Sequence, residues 1–163
     1  MTSFEKLLLR YLDDYITYRH SGCQKYTARA MGVVPSTLCT WMQYYHSNGT
    51  SGSCPQLRKI GLAMDSLGVP IIARINYGAQ EPGSNLTTLE KMVFGFIVTY
   101  IDKHRLGFED AGKMLGLKTP RLMIEWMNYY TSDGYDGVCP KIDAIGVVME
   151  KIGVTVKRRQ YND

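Results

Sequence analysis

The sequence contains four cysteines and three histidines, the side chains that proteins most often use for metal binding or redox chemistry. The cysteines show no Cys-x-x-Cys spacing, and the histidines do not cluster with them, so the sequence predicts neither a zinc site nor a disulfide scaffold. We therefore expect no bound metal and no cofactor. The residues concerned are Cys23, Cys39, Cys54, Cys139, His20, His46 and His104.

Two tyrosine pairs, Tyr44–Tyr45 and Tyr129–Tyr130, have the chemistry of the nucleophiles in strand-transfer enzymes. No group of arginines and histidines accompanies them, and no acid–base, metal or nucleophile constellation recurs in the chain, so we do not expect an enzyme. We expect instead that one tyrosine of each pair lies in the core and that the other contacts a phosphate or a partner.

Two glycine-rich segments, SNGTSGSC and SDGYDGVC, have a composition that also occurs in phosphate-binding loops. Both lack the lysine of a P-loop, and we interpret each as a turn between helices. Each segment ends in a cysteine, Cys54 or Cys139, where a helix N-terminus can lower the pKa of a thiol. A small buried or capping residue is the favoured interpretation of both cysteines.

The composition is that of a globular protein, with 163 residues, 45% hydrophobic residues, 21% charged residues and a mean hydropathy of −0.18. The longest uncharged apolar stretch, from Met92 to Ile101, is about half the ~18 residues of a membrane span. The N-terminus contains acidic residues where a signal peptide would be basic and then apolar. We therefore expect a cytoplasmic protein without a membrane partner.

The chain repeats itself with an offset of 85 residues. The segment WMQYYHSNGTSGSCP, which begins at Trp41, matches WMNYYTSDGYDGVCP, which begins at Trp126. Further matches extend upstream and downstream in the same register, and the segment between the copies is rich in turn-forming residues. The repeat predicts two homologous domains, residues 1–78 (the first repeat) and 86–163 (the second repeat), joined by a linker over residues 79–85.

Apolar residues recur with helical spacing in both repeats, between Phe4 and Ile16 and again between Leu89 and Ile101, whereas no segment alternates with period two. We therefore predict an all-α fold of four to five helices in each repeat. Capping boxes are predicted at Thr2-x-x-Glu5 and Thr87-x-x-Glu90. The remaining predicted helix boundaries are left-handed caps at Gly22 and Gly107, and first helical residues at Pro55 and Pro140.

The segment QKYTARAMGVVPSTLCTWMQYY has the spacing of a helix-turn-helix. Ala28 allows close packing of two helices, Gly32 supplies the positive φ of the turn, and Val33, Leu38 and Trp41 anchor the second helix. With its flanking helices, most of residues 2–77 resembles the lambda-repressor-like (Cro/repressor type) helix-turn-helix family. The second repeat departs from this pattern, because Gly112 replaces the usual alanine and Gly116 to Trp126 is one residue longer.

In proteins of this family the second helix of the motif lies in the DNA major groove, with its N-terminal residues against base edges. The resemblance implies base or phosphate contacts from Val34, Ser36, Thr37, Thr40 and Gln43, and from Lys118, Thr119, Arg121 and Asn128. Hydroxyl groups can donate hydrogen bonds to several bases or accept them, and glutamine can pair with adenine. The run Lys157, Arg158 and Arg159 is either a further phosphate contact or a solvated tail.

The net charge of +4 arises from 19 basic and 15 acidic residues, which is compatible with nucleic acid but does not indicate it alone. The resemblance implies a sequence-specific double-stranded DNA-binding protein, a small transcriptional repressor or regulator of a bacterium, phage or other mobile element, that recognises an asymmetric site. The alternative is a protein-interaction module on the same scaffold, in which Met123 and Ile124 belong to an interface. The oligomeric state stays open.

Overall fold

The computed structural model describes residues 1–19, 21–67 and 85–153. Regular structure in these ranges is helical, apart from one isolated antiparallel bridge between Gln56 and Lys141, so the all-α prediction is confirmed. The predicted linker up to residue 84 and the basic run Lys157–Arg159 lie outside the described residues. The helices are α1 (Ser3–Arg19), α2 (Gln24–Met31), α3 (Pro35–His46), α4 (Leu57–Ser66), α5 (Thr88–His104), α6 (Phe108–Met114), α7 (Leu122–Thr131) and α8 (Ile142–Ile152).

Both predicted capping boxes are present. The amide of Thr2 donates to the Glu5 carboxylate at 2.6 Å, and the amide of Glu5 donates to the Thr2 hydroxyl at 3.2 Å. Thr87 and Glu90 make the same two hydrogen bonds, each at 3.2 Å. These bonds satisfy amides at the start of α1 and α5 that have no partner within the helix.

The left-handed conformation predicted for Gly22 is confirmed, three residues after α1 ends at Arg19, whereas the predicted end of α5 is wrong. Gly22 has a φ of 81°, and its amide donates to the carbonyl of Ile16 at 3.0 Å. Arg105, with a φ of 52°, caps α5, while Gly107 has a φ of −73° and begins α6. The connection from α5 to α6 is therefore one residue shorter than that from α1 to α2, since it spans residues 105–107 instead of 20–23.

The predicted starts of α4 and α8 at proline are also wrong, because both helices begin two residues later, at Leu57 and Ile142. The amide of Leu57 donates to the carbonyl of Pro140 at 2.9 Å, and the amide of Ile142 donates to the carbonyl of Pro55 at 3.1 Å. The residues before the two helices therefore pair with each other, as a short antiparallel ladder between the repeats, instead of joining a helix.

The first helix of each repeat packs against the last helix of the other repeat: α1 contacts α8, and α5 contacts α4. Glycine allows this close approach, since a methyl group on Gly61 would overlap the hydroxyl of Thr87 and one on Gly146 would overlap that of Thr2. The amide of Ser3 donates to Glu150 at 3.0 Å, and the amide of Thr88 donates to Asp65 at 3.3 Å. The two repeats are thus related by an approximate two-fold axis.

The hydrophobic core is one continuous cluster with members from both repeats. Trp41 and Trp126 are 3% and 1% exposed, which confirms the prediction that they are core residues. Leu12 of the first repeat and Phe94 of the second repeat are fully buried in the same cluster. Burial of apolar area between the repeats therefore stabilises the fold together with burial inside each of them.

Candidate nucleic-acid interface

The connection between α2 and α3 consists of residues 32–34 and has the predicted left-handed glycine. Gly32 has a φ of 71°, and the amide of Val33 donates to the carbonyl of Ala28 at 3.0 Å. Ala28 and Leu38 are fully buried, so the two helices are anchored on the core by the predicted residues. Because these residues fix the inner face of α3, the position of its outer face is fixed as well.

The predicted contact residues of the first repeat lie on that outer face or at its edge. Val34 is 62% exposed at the start of α3, and Ser36 and Gln43 are exposed along the helix. Thr37 and Thr40 are half-buried, and the Thr40 hydroxyl donates to the carbonyl of Thr37 at 2.8 Å. Thr40 can therefore only accept a hydrogen bond from a ligand, whereas Ser36 and Gln43 face solvent as possible donors and acceptors.

Two exposed cations, Lys25 and Arg29, lie on α2, the helix that packs against α3. The residue-by-residue comparison with the helix-turn-helix family did not select them. Their i, i+4 spacing in the segment QKYTAR is the sequence signal that places both side chains on the same side of a helix. The first turn of α2 contains no acidic residue, so these charges are not neutralised there.

A longer acid-free segment surrounds these helices. No aspartate or glutamate occurs between Asp14 and Asp65, although five arginines and lysines do. The corresponding residues of the second repeat, 100–149, contain seven acidic and six basic side chains. Residues 1–78 carry a net charge of +4 and residues 79–163 a net charge of zero, and this difference is concentrated in residues 15–64 and their counterparts 100–149.

The connection between α6 and α7 is longer, since it spans residues 115–121. Lys118, Thr119 and Arg121 are exposed, but they precede α7, which begins at Leu122. The amide of Leu122 donates to the carbonyl of Thr119 at 2.9 Å, and that of Ile124 donates to Arg121 at 3.0 Å. The first repeat has the equivalent first bond, from the amide of Thr37 to the carbonyl of Val34 at 2.9 Å, but there the amide of Leu38 also donates to Val34, as in an α-helix. In the second repeat the i→i+3 bonds continue and form a tight turn.

The same connection explains why glycine replaces alanine at the helix-packing position of the second repeat. A methyl group on Gly112 would overlap the backbone carbonyl of Pro120, because the longer connection folds back over α6. The second repeat thus packs its backbone where the first repeat packs the side chain of Ala28.

On α7, the predicted contact residue Asn128 is exposed, and so is Glu125, three residues before it. Met123 is fully buried in the core, which contradicts its place in the interface of the alternative interpretation, while Ile124 is half-buried. The first turn of α6 presents the exposed acidic residues Glu109 and Asp110. The outer surface of this repeat therefore mixes the two signs of charge.

The paired tyrosines are structural. The Tyr44 hydroxyl donates to Glu5, and the Tyr129 hydroxyl donates to Glu90, so that each buried capping-box carboxylate also accepts a bond from a tyrosine. Burial, and then the hydrogen bond to the carboxylate, raises the pKa of Tyr44 and of Tyr129 above their usual range. Neither phenol is therefore poised to act as a nucleophile.

The second tyrosine of each pair, Tyr45 or Tyr130, is half-buried against the core, and Tyr130 stacks on Phe94 with ring centroids 5.1 Å apart. Tyr129, at 4% exposure, is the core member of its pair, as expected. The phosphate or partner contact expected of the other member stays a prediction.

Cys54, Cys139 and the glycine-rich segments that precede them also have structural roles. Burial raises the pKa of the Cys54 and Cys139 thiols, which is the opposite of the lowering considered for a helix N-terminus. The predicted turns are confirmed, since the Ser47 hydroxyl accepts from the amide of Ser51 at 2.9 Å and closes the turn after α3. Within the described residues, no cluster of three or more histidine, cysteine, aspartate or glutamate side chains could hold a metal ion.

Comparison of the chain with protein-family models, with curated proteins and with solved structures gives no match. In the described part of the chain, no helix has both the length and the apolar character needed to cross a bilayer.

Proposed function

We propose that the protein binds double-stranded DNA in a sequence-specific manner, with α2 and α3 acting as a helix-turn-helix of the lambda-repressor-like type. The observation that favours this function is the exposed polar outer face of α3, together with the exposed Lys25 and Arg29 on the adjoining α2, in a segment free of acidic residues. A helix with such a face fits the width of the major groove, and the absence of carboxylates avoids repulsion from the phosphates.

In this proposal α3 enters the major groove and its outer face contacts base edges. Gln43 donates and accepts at adenine, and Ser36 bonds to any of several bases. Val34, an exposed apolar side chain at the N-cap, contacts a thymine methyl group. Because α3 contains no arginine or lysine, recognition of guanine by a bidentate cation is not expected from this helix.

Lys25 and Arg29, on the same side of α2, contact phosphates along one edge of the groove and give affinity that decreases with salt. Such a protein represses transcription when its site overlaps a promoter, because the bound chain excludes the polymerase. This step requires no cofactor and no catalysis.

The test is selection of bound sequences from a random double-stranded DNA pool by the purified chain at low salt. We expect enrichment of a short motif, and loss of preference at one base position in Gln43→Ala. The matched control is Thr17→Ala, an exposed polar residue on α1. The absence of any enriched sequence, with affinity for DNA unchanged across a salt series, would overturn the proposal.

A protein-interaction function is the second candidate. It is favoured by α6, where Phe108 and Met114 are 41% and 52% exposed beside the acidic residues Glu109 and Asp110. Exposed large apolar residues next to charges are typical of a protein contact surface. A pulldown that yields one stoichiometric protein and no DNA, and that fails with Phe108→Ser, would favour this function over the first.

A further inference from the structure

We infer that only the first repeat contacts DNA bases, and that the second repeat is its built-in structural partner, so that the chain recognises a single half-site. This inference rests on the proposed function and specifies its ligand. It departs from the expectation of two unlike DNA-contacting units on one asymmetric site, which the symmetry of the sequence repeat suggests.

The first argument is charge. A major-groove helix and its flanking elements lie within a few ångströms of phosphates, where like charges repel. Residues 15–64 contain no acidic side chain, whereas residues 100–149 contain seven. Two of those seven, Glu109 and Asp110, are exposed in the first turn of α6, the counterpart of the helix that presents Lys25 and Arg29 in the first repeat.

The second argument is the shape of the element that would enter the groove. In the first repeat, α3 begins at Pro35 directly after a connection of three residues, so its N-terminal side chains project from a regular helix. In the second repeat, Arg121, the counterpart of Ser36 at the offset of 85 residues, lies in the tight turn before α7 instead of on the helix. Base recognition requires side chains held at fixed positions on a regular element.

The third argument is the contribution of the second repeat to the first. The N-terminal helix of the first repeat packs on α8, where Gly146 accommodates Thr2 and Glu150 accepts from the amide of Ser3. The segment that follows α3 pairs with the second repeat through Leu57 and Pro140. These contacts are reciprocal, so the second repeat supports the first repeat without itself requiring a DNA contact.

The test uses the full chain and two matched double variants at exposed basic positions, Lys25→Ala/Arg29→Ala in the first repeat and Lys118→Ala/Arg121→Ala in the second. For the first pair we expect at least about a tenfold loss of affinity and a salt slope smaller by about 2, one for each lost phosphate contact. For the second pair we expect less than about a twofold change. Far-ultraviolet circular dichroism and the urea midpoint of each variant establish that the fold is unchanged.

Selection from random DNA by the unaltered chain provides the second measurement. A single enriched motif supports the inference. Two enriched motifs at a fixed separation of about 10 base pairs overturn the inference, because two recognition elements in successive major grooves would have that spacing. An equal loss of affinity in both double variants overturns it as well. In those cases the proposed DNA-binding function stands. The absence of any DNA binding overturns both proposals.

Discussion

The guanidinium of Arg58, on α4 of the first repeat, lies 3.7 Å from the carboxylate of Glu90, on α5 of the second repeat. Glu90 is fully buried, and its carboxylate also caps α5. The ion pair of Arg58 with Glu90 therefore joins the two repeats. Burial alone would lower the pKa of Arg58, but its hydrogen bond with Tyr129 and the charge of Glu90 raise it. The equivalent position of the second repeat is occupied by Asp143, so that position supplies no cation to the buried carboxylate of Glu5.

Replacement of Arg58 by methionine should lower the free energy of unfolding by about 1–3 kcal/mol, because the substitution leaves the Glu90 carboxylate buried without its cation. Solvent limits this loss, because the Arg58 side chain is 29% exposed. Urea-induced unfolding followed by circular dichroism measures the change. Lys59→Met, at the exposed neighbouring position, is the control and should change the stability by less than about 0.5 kcal/mol.

Replacement of Tyr44 or Tyr129 by phenylalanine removes the hydroxyl that donates to a buried carboxylate. We expect each variant to lose about 1.5–3 kcal/mol, the range for a hydrogen bond to a charged group, with the larger loss for the more deeply buried Tyr129. Tyr18→Phe is the control, because Tyr18 is 78% exposed. Urea midpoints of Tyr44→Phe and Tyr129→Phe equal to that of the control would show that these hydroxyls do not stabilise the fold.

The same tyrosines predict the response to alkaline pH. Burial and the bonds to Glu5 and Glu90 raise the pKa of Tyr44 and Tyr129 above the ordinary 10.0, so the folded state favours the neutral phenols. The stability that they contribute is present below pH 10 and is lost as the pH rises above it, because the unfolded chain then releases protons first. The thiols of Cys54 and Cys139 act in the same direction from their ordinary 9.0.

A series of urea unfolding curves between about pH 7 and pH 11 tests this prediction. The unfolding free energy should change little up to about pH 8.5 and then decrease, and the decrease should be smaller in the double variant Tyr44→Phe/Tyr129→Phe. Stability that increases between about pH 9 and pH 11 would contradict the assignment of these groups.

Addition of a methyl group at the helix contacts between the repeats should destabilise the protein. In Gly61→Ala and Gly146→Ala the new group overlaps the hydroxyl of Thr87 or Thr2, and overpacking of this kind costs about 1–3 kcal/mol. Gly107→Ala is the control, since its nearest neighbour, a carboxylate oxygen of Asp110, would be 3.9 Å away. The thermal midpoints of the three variants measure the difference, and equal midpoints would show that the contact between the repeats adapts without cost.

Local signals in the sequence were sufficient to predict much of this fold. The capping boxes at Thr2 and Thr87, the left-handed Gly32 and the buried Trp41 and Trp126 each depend on residues within a few positions of one another, or on a helical period. Such interactions are strong enough to fix a helix start, a turn or a buried face wherever they occur.

The features that the sequence did not predict depend on contacts between distant residues. α4 begins at Leu57 instead of Pro55 because its first amide bonds to Pro140, a residue of the other repeat. Gly107 does not cap α5, because the connection is one residue shorter than in the first repeat and Arg105 takes that place. The insertion after Gly116, which is visible in the sequence, compensates for this deletion, so the overall offset of 85 residues concealed the deletion.

The candidate DNA-contacting face was predicted only in part. The resemblance selected Val34, Ser36 and Gln43, which the structure places at exposed positions, but it did not select Lys25 and Arg29. Net charges summed over each repeat also obscured the absence of acidic residues between Asp14 and Asp65, because Glu5, Asp13 and Asp14 belong to the same repeat. The distribution of charge along the chain is the more informative quantity.

The approximate two-fold relation between the repeats has a consequence for how this protein can change by mutation. In a homodimer of identical chains, every substitution at the interface appears twice, so both copies of a contact change together. Here the two copies are encoded separately, and each can be altered while the other is retained. The difference between Arg58 and Asp143, at equivalent positions, is an asymmetry that no symmetric dimer of one gene product could have.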